Sequence, residues 1–463
     1  MAVETKAAAR AASGRLTRRA VLGAALAGGV GIAAARLLAA EHTVPLQPGA
    51  RTDWASPLGA ESARVQHLLR RTTFGATTEE LERALSDGFK KTVDRLLESK
   101  PATPRPLDAA EDATRLSRLN PRLLQQWWLD WMLTTPTPLA ERMTFFWHGH
   151  FTSDFRKVGV QTPWIYWQNE TWRANSLGDF REFLYQVTID PAMLRYLDLA
   201  TSTAAAPNEN YSRELMELFT MGPGNYSEDD VRAAAKALAG WRLPRAGEGR
   251  TGIFELRRAY AGTLTFLGKT ARFDTRGVLD RILAQKATAP FVVTKLLSHF
   301  ALPNPPAGTV DRLASNFVRS RWSIRQLMHD VLTSAEFTSA AAYRSLVKSP
   351  TELMVGALKA LGARDSTPAV AAAAGMGQVL FDPPDVGGWP TNEAWISSNT
   401  VVERINFVTA LLGAVATLPS ASEAVRRQLD ATLSPATAAA LNVAGSDRDR
   451  WFLVLASPEY QLK

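Results

Sequence analysis

Leu124-Gln125-Gln126-Trp127-Trp128-Leu129-Asp130-Trp131, followed closely by Thr137-Pro138-Leu139-Ala140-Glu141-Arg142-Met143-Thr144-Phe145-Phe146-Trp147-His148-Gly149-His150-Phe151, decides the fold class. Leu124, Trp127, Trp128 and Trp131 recur at three and four residues, as do Leu139, Met143 and Phe146, which is the spacing of one helical face. Thr137 and Pro138 read as the N-cap and first turn of the second helix. The helical spacing of Trp127 and Trp131 also assigns them to a core rather than to a stacking platform for sugars.

Outward from these two segments the same period predicts helices over 60–71, 77–98, 177–186, 276–285, 288–300, 309–318, 323–333, 350–361, 398–416 and 421–431. Tyr211, Leu215, Leu218 and Phe219 form another stripe, closed by Gly222. Ser227 with Asp230 opens a helix whose core face is Val231, Ala235 and Leu238, closed by Gly240. Only 253–257 and 263–267 read as strands, forming a hairpin on Gly262. The expectation is a mainly α protein: one large irregular helical domain over 60–463 with at most a small β-hairpin. No fixed-period repeat argues for a solenoid.

The first forty residues have the layout of an export signal. Lys6, Arg10 and Arg15 lead into Thr17-Arg18-Arg19-Ala20-Val21-Leu22, and an uncharged run of Ala, Gly, Val, Leu and Ile spans 20–35. That run is shorter than the roughly 20 residues needed to span a bilayer, and the paired arginines before it are the twin-arginine mark. The expected organisation is therefore a twin-arginine signal over 1–40, a flexible tail over 41–59, then the domain. Export would place the protein in the periplasm, on the cell surface or outside the cell, with membrane contact only through the leader. Residues 1–40 hold six basic residues and one acidic, so they carry most of the +8 net charge and leave +3 for the rest. With no basic stripe elsewhere, the composition argues against nucleic acid. There is no cysteine, which excludes disulfides, thiol nucleophiles and thiolate metal sites.

Three stretches carry candidate chemistry. His148-Gly149-His150 places two imidazoles, the commonest metal ligands, two residues apart. In a continuous helix they would diverge by about 200°, but Gly149 can break the helix and let the rings converge. The alternative is that His148 meets the helix end and His150 packs nearby. In Pro207-Asn208-Glu209-Asn210-Tyr211-Ser212-Arg213-Glu214-Leu215-Met216-Glu217-Leu218-Phe219, helical geometry brings Asn210, Glu214 and Glu217 within about 60° of one another. Glu209, Glu214 or Glu217 could complete a metal site with the histidines or serve as a base beside it; the alternative is a solvated face paired at Arg213–Glu217. The third stretch, 376–390 with Trp395, has Pro383-Pro384 and Gly387-Gly388. It reads as an ordered loop that lines a site or clasps the core.

These stretches, in this order, resemble a large bacterial family catalogued as domain of unknown function 1800. The match begins at His67-Leu68-Leu69-Arg70-Arg71-Thr72-Thr73-Phe74-Gly75 and runs to about Arg404. Within it lie Arg142 to Phe151, Pro191-Ala192-Met193-Leu194-Arg195-Tyr196-Leu197-Asp198, residues 208–219, Val231 to Trp241, Lys348-Ser349-Pro350-Thr351-Glu352-Leu353 and the 382–395 loop. The resemblance implies no activity. It implies export and, as a partner, a second exported protein of a sulfatase-like family. Two positions depart from the family pattern: Gly149 stands where relatives usually have Asn between the histidines, and Ala259-Tyr260 where many have His-Asp.

Two classes of function follow. One is a metal-dependent hydrolase holding one divalent ion through His148, His150, Glu209 and Glu214, with Glu214 or Glu217 as base. The other is a non-catalytic envelope protein that docks an exported partner, its motif residues serving as polar structure in the core. Within the enzyme class, glycan processing by paired carboxylates is a further alternative.

Overall fold

The computed structural model describes residues 55–107 and 119–463. The leader and most of the tail lie outside the described residues. The protein is mainly helical. The first half contains α1 (Glu61–Thr72), α2 (Thr78–Glu98), α3 (Pro121–Thr134), α4 (Pro138–His150), α5 (Phe155–Val158), α6 (Trp164–Asn175), α7 (Phe180–Ile189), α8 (Pro191–Tyr196), α9 (Asn210–Glu214) and α10 (Glu228–Ala237). After two small sheets come α11 (Thr275–Leu283), α12 (Thr288–Phe300), α13 (Ala307–Arg319), α14 (Ile324–Leu332), α15 (Pro350–Ala360) and α16 (Thr367–Ala372). The C-terminal part adds α17 (Ser398–Ala414), α18 (Ala424–Leu429), α19 (Pro435–Asn442), α20 (Asp447–Ala456) and α21 (Pro458–Gln461). Among the described residues no helix is long and apolar enough to cross a membrane.

Local chemistry sets the helix starts. Thr77 with Glu80, Ser227 with Asp230, and Ser349 with Glu352 form capping boxes, each satisfying two backbone N–H groups at a helix start. The helix expected from 177 begins at Phe180 because Asp179 caps it, accepting from Glu182 N–H at 2.9 Å. Thr137 does precede α4 with Pro138 in the first turn, but its side chain makes no cap bond. Its hydroxyl accepts instead from Ala102 N–H.

The strands correct the hairpin expected on Gly262. Ile253–Phe254 (β2) pairs antiparallel with Trp241–Arg242 (β1), and Leu264–Phe266 (β3) with Lys269–Ala271 (β4). The partners are short segments of two or three residues, below the length at which an alternating pattern can be read.

One cluster of buried apolar side chains extends from Leu68 to Tyr460, and α4 runs through it. Every residue from Leu139 to His148 is buried, so this helix has no solvent face. Its polar side chains must find partners inside the protein. Glu141 accepts from Trp128 Nε1 (2.5 Å) and Trp131 Nε1 (2.8 Å) of α3, and from Nε and Nη2 of Arg173 on α6, both at 2.8 Å. One carboxylate thereby ties three helices together, and the forked guanidinium neutralises it in place. Arg142, on the next position, pairs with the buried carboxylate of Glu352 at the start of α15.

Removing the Glu141 charge leaves Arg173 buried without its counter-ion, and two indole N–H groups lose an acceptor. Glu141→Ala is expected to cost about 3–5 kcal/mol in urea unfolding, as for other broken buried pairs. A loss under about 1 kcal/mol would show that the knot does not organise the core.

Candidate functional site

The two histidines do not converge. α4 continues through Gly149 to His150 without a left-handed break, so the rings leave the helix in different directions. His148 Nε2 accepts from the Phe381 N–H at 3.1 Å, with its ring among Trp128, Phe381 and Trp389. His150 Nε2 donates to the Phe219 carbonyl at 3.0 Å, its ring parallel to that of Phe146. Each imidazole thus closes a backbone gap. The carbonyl of Phe219 would be served in a helix by the amide four residues on, but that residue is Pro223, which has none.

The acidic residues separate as well. Glu209 faces Arg213 at 3.5 Å on the surface. The chain passes from α9 directly into a wider π-helical turn over Leu215–Thr220, so the 100° spacing that would align Asn210, Glu214 and Glu217 does not hold. Glu217 accepts from Tyr226 O–H at 2.5 Å, and Arg213 pairs with Glu228 rather than with Glu217. Among the described residues no group of three or more His, Asp or Glu side chains is placed to hold a metal ion. The expected set of His148, His150, Glu209 and Glu214 is therefore corrected: the histidines are committed to backbone partners in the core.

What the same segments do build is a polar face outside α4. Thr152 Oγ1 donates to the Val386 carbonyl, and Phe155 N–H to the Phe381 carbonyl, fastening the 381–389 loop onto the end of α4. Gly388, at φ +88°, comes so close that a Cβ there would overlap the Gly149 carbonyl. A side chain at position 149, by contrast, would meet open space, so packing does not require a glycine there.

On this face Asp154 caps α5, accepting from Arg156 N–H at 2.6 Å, and shares the Arg156 guanidinium with Asp382, at 3.4 and 2.6 Å respectively. Burial raises the proton affinity of Asp382; Arg156, whose guanidinium lies 2.6 Å from it, opposes the shift and Asp154 reinforces it. Glu214 is raised too, by burial and then by Glu217. Tyr196 is pushed up to about 12 by burial and by Asp154, Asp385 and Glu214. Lys157 and Asn210 hold Asp198, which has the left-handed φ of 60°; Phe381 has φ 64°. Such backbone in non-glycine residues gathers at functional sites. Of these residues, the candidate assignment contained only Glu214 and Glu217. Asp154 gives one signal in the sequence: an Asp just before a short helix, immediately after the His-x-His segment.

Burial pushes both His148 and His150 down to about 3, and His67 and His299 well below the ordinary value. As pH falls from about 6.5 towards 3, the unfolded chain takes up protons that the folded chain refuses. Stability is therefore complete above 6.5 and lost on acidification, by up to about 1.4 kcal/mol per pH unit for each histidine. Asp190, pushed up to about 7, has the opposite sign and loses stability as pH rises from 3.8, and the raised Asp382 and Glu214 act in the same direction, against the four histidines. The melting temperature is expected to fall steadily from pH 7 to 4, less steeply in His150→Gln, which keeps an N–H donor. A flat profile would contradict the buried neutral histidines.

No curated protein and no solved structure matches the chain. The model of the family described as protein of unknown function (DUF1800) matches residues 67–462, past Arg404 where the resemblance was expected to end. The extension has a physical basis, since Glu459 accepts from Ser434 N–H and Thr437 Oγ1, and Lys463 pairs with Glu352. The chain belongs to the DUF1800 family.

Proposed function

We propose that the protein is an acid–base hydrolase, exported by the twin-arginine pathway, that works with carboxylates on the face outside α4 rather than with a metal at the histidines. The observation that carries this reading is the pair of carboxylates, Asp154 and Asp382, set on one guanidinium, that of Arg156, where the end of α4 meets the 381–389 loop. Tyr196 feels Asp154, Asp385 and Glu214 together, so the α8 and α9 segments border the same face. Hydrolysis by general acid and base needs one carboxyl that keeps a proton near neutrality and one that stays ionised. Asp382 and Glu214, whose proton affinity burial raises, are the candidates for the acid, and Asp154, set beside Asp382 on the same guanidinium, is the candidate for the base. Neutral or anionic glycans of the cell envelope are the substrate class that paired carboxylates commonly cleave, and export brings the protein to them.

The full chain incubated with purified sacculi and a panel of envelope polysaccharides is expected to release new reducing ends. Asp382→Asn and Glu214→Gln should each lower the rate at least 100-fold with little change in melting temperature, and a chelator should leave it unchanged. No release from any glycan, or an undiminished Asp382→Asn variant, would overturn the reading.

Docking of an exported partner, such as a sulfatase-like protein, is the second reading. Leu256 is 84% exposed and Phe254 41%, side by side in the segment preceding Ala259-Tyr260. A docking protein would release nothing in the glycan assay and would bind its partner through this segment.

A further inference from the structure

Away from the acidic face, a cavity of about 40 Å³ lies between α1, the turn after it, the start of α15, the end of α18 and the C-terminal segment. Its charged and phenolic lining is Arg70, Lys348, Glu352, Arg427, Tyr460 and Lys463. Four cations thus face one carboxylate. The hydrogen bonds decide which of these groups are already committed.

Glu352 is fully used: Oε1 takes both Arg142 and Lys463, and Oε2 takes Ser349 N–H at 2.7 Å. Arg70 is held by Asp430 at 2.6 Å, and Arg427 donates to Thr78 Oγ1 at 2.6 Å. Two groups remain. The Lys348 side chain, only 8% exposed, has no acceptor among the described residues; its Nζ sits 3.5 Å from the centre of the Tyr460 ring. The Tyr460 hydroxyl is buried without a partner. A buried amine, whose proton affinity burial lowers, and a buried phenol, neither with an acceptor among the described residues, stand at a cavity wall and gain hydrogen bonds from a guest that supplies oxygen lone pairs.

We propose that this cavity binds a small oxyanion, free or as a group on a larger molecule, held by Lys348 Nζ and the Tyr460 hydroxyl in the field of Lys463, Arg70 and Arg427. The guest is an anion rather than a neutral hydroxyl compound because Arg70, Arg427 and Lys463 line the same cavity against one carboxylate, and an oxyanion there would favour the charged form of Lys348. The volume is enough for a group of phosphate, sulfate or carboxylate size. Nothing in this site depends on the acid–base reading of the other face.

The test is calorimetric titration and thermal denaturation of the full chain with inorganic phosphate, sulfate and acetate, each against potassium chloride of equal ionic strength. Saturable one-site binding of at least one oxyanion, with a melting temperature that rises with its concentration beyond the chloride control, is expected. The probe that binds identifies the chemistry. Lys348→Met should weaken that binding at least tenfold and, without the oxyanion, melt no lower than the parent, because it replaces a buried amine that has no acceptor with an apolar side chain of similar length. Tyr460→Phe, which keeps the ring, should weaken it several-fold and serves if the first variant does not fold. No saturable binding of any probe, as when water alone fills the cavity, would overturn the proposal. So would unchanged affinity in both variants.

Discussion

The burial of α4 on every side is the constraint that the rest of the structure obeys. A helix with no solvent face must satisfy each polar side chain internally, and this one carries Glu141, Arg142, Thr144, His148 and His150. Their partners lie on different elements: Glu141 binds α3 and α6, Arg142 binds α15, His148 binds the 381 turn, and His150 binds the π-helical turn. Thr144 returns its hydroxyl to the Ala140 carbonyl. The polar residues of one helix therefore fix the positions of segments more than 200 residues apart in the chain. Apolar packing alone is not directional, and these bonds supply the orientation.

That arrangement separates two kinds of motif residue. Those pointing inward from α4 complete backbone hydrogen bonding, and those just beyond its end, Thr152 to Arg156, anchor the outer loop and form the acidic face. The histidines and the carboxylates are neighbours in sequence yet serve opposite sides of the same wall. Carboxyl groups of raised proton affinity at Asp382 and Glu214 lie on the outer side, half-buried, whereas the imidazoles are buried in the core. The acid–base proposal rests on this division.

Much of the fold was legible in the sequence because long amphipathic helices announce their period: the segment expected over 288–300 is α12, and 350–361 is α15. Short elements were not. α5 and α8 span four and six residues, too few for a period, and the β1–β4 segments are shorter still. At the site, the segments singled out in the sequence do lie against one another, while the residues within them pair differently from the metal-binding set. Of the two readings of His148-Gly149-His150, the one in which Gly149 breaks the helix does not occur, because nothing local forces a break and its φ is not left-handed; both rings pack in the core instead. The even spacing assumed along 210–219 failed at the π-helical turn, where Pro223 withholds an amide. Which partner takes a histidine nitrogen is decided by chain segments remote in sequence, and no single-residue pattern encodes it.

The central claim is that His148 and His150 are neutral core residues with opposite hydrogen-bonding roles. Nitrogen-15 NMR of the imidazoles tests it most directly, since it reports which ring nitrogen carries the proton. The account predicts opposite tautomers near neutrality: His148 protonated on Nδ1, because its Nε2 accepts from Phe381, and His150 protonated on Nε2, which donates to Phe219. Neither should titrate between pH 5 and 8, and neither should respond to zinc. Titration near 6.5, matching tautomers, or joint perturbation by a stoichiometric metal ion would contradict it and return the His-x-His segment to the role of a metal ligand.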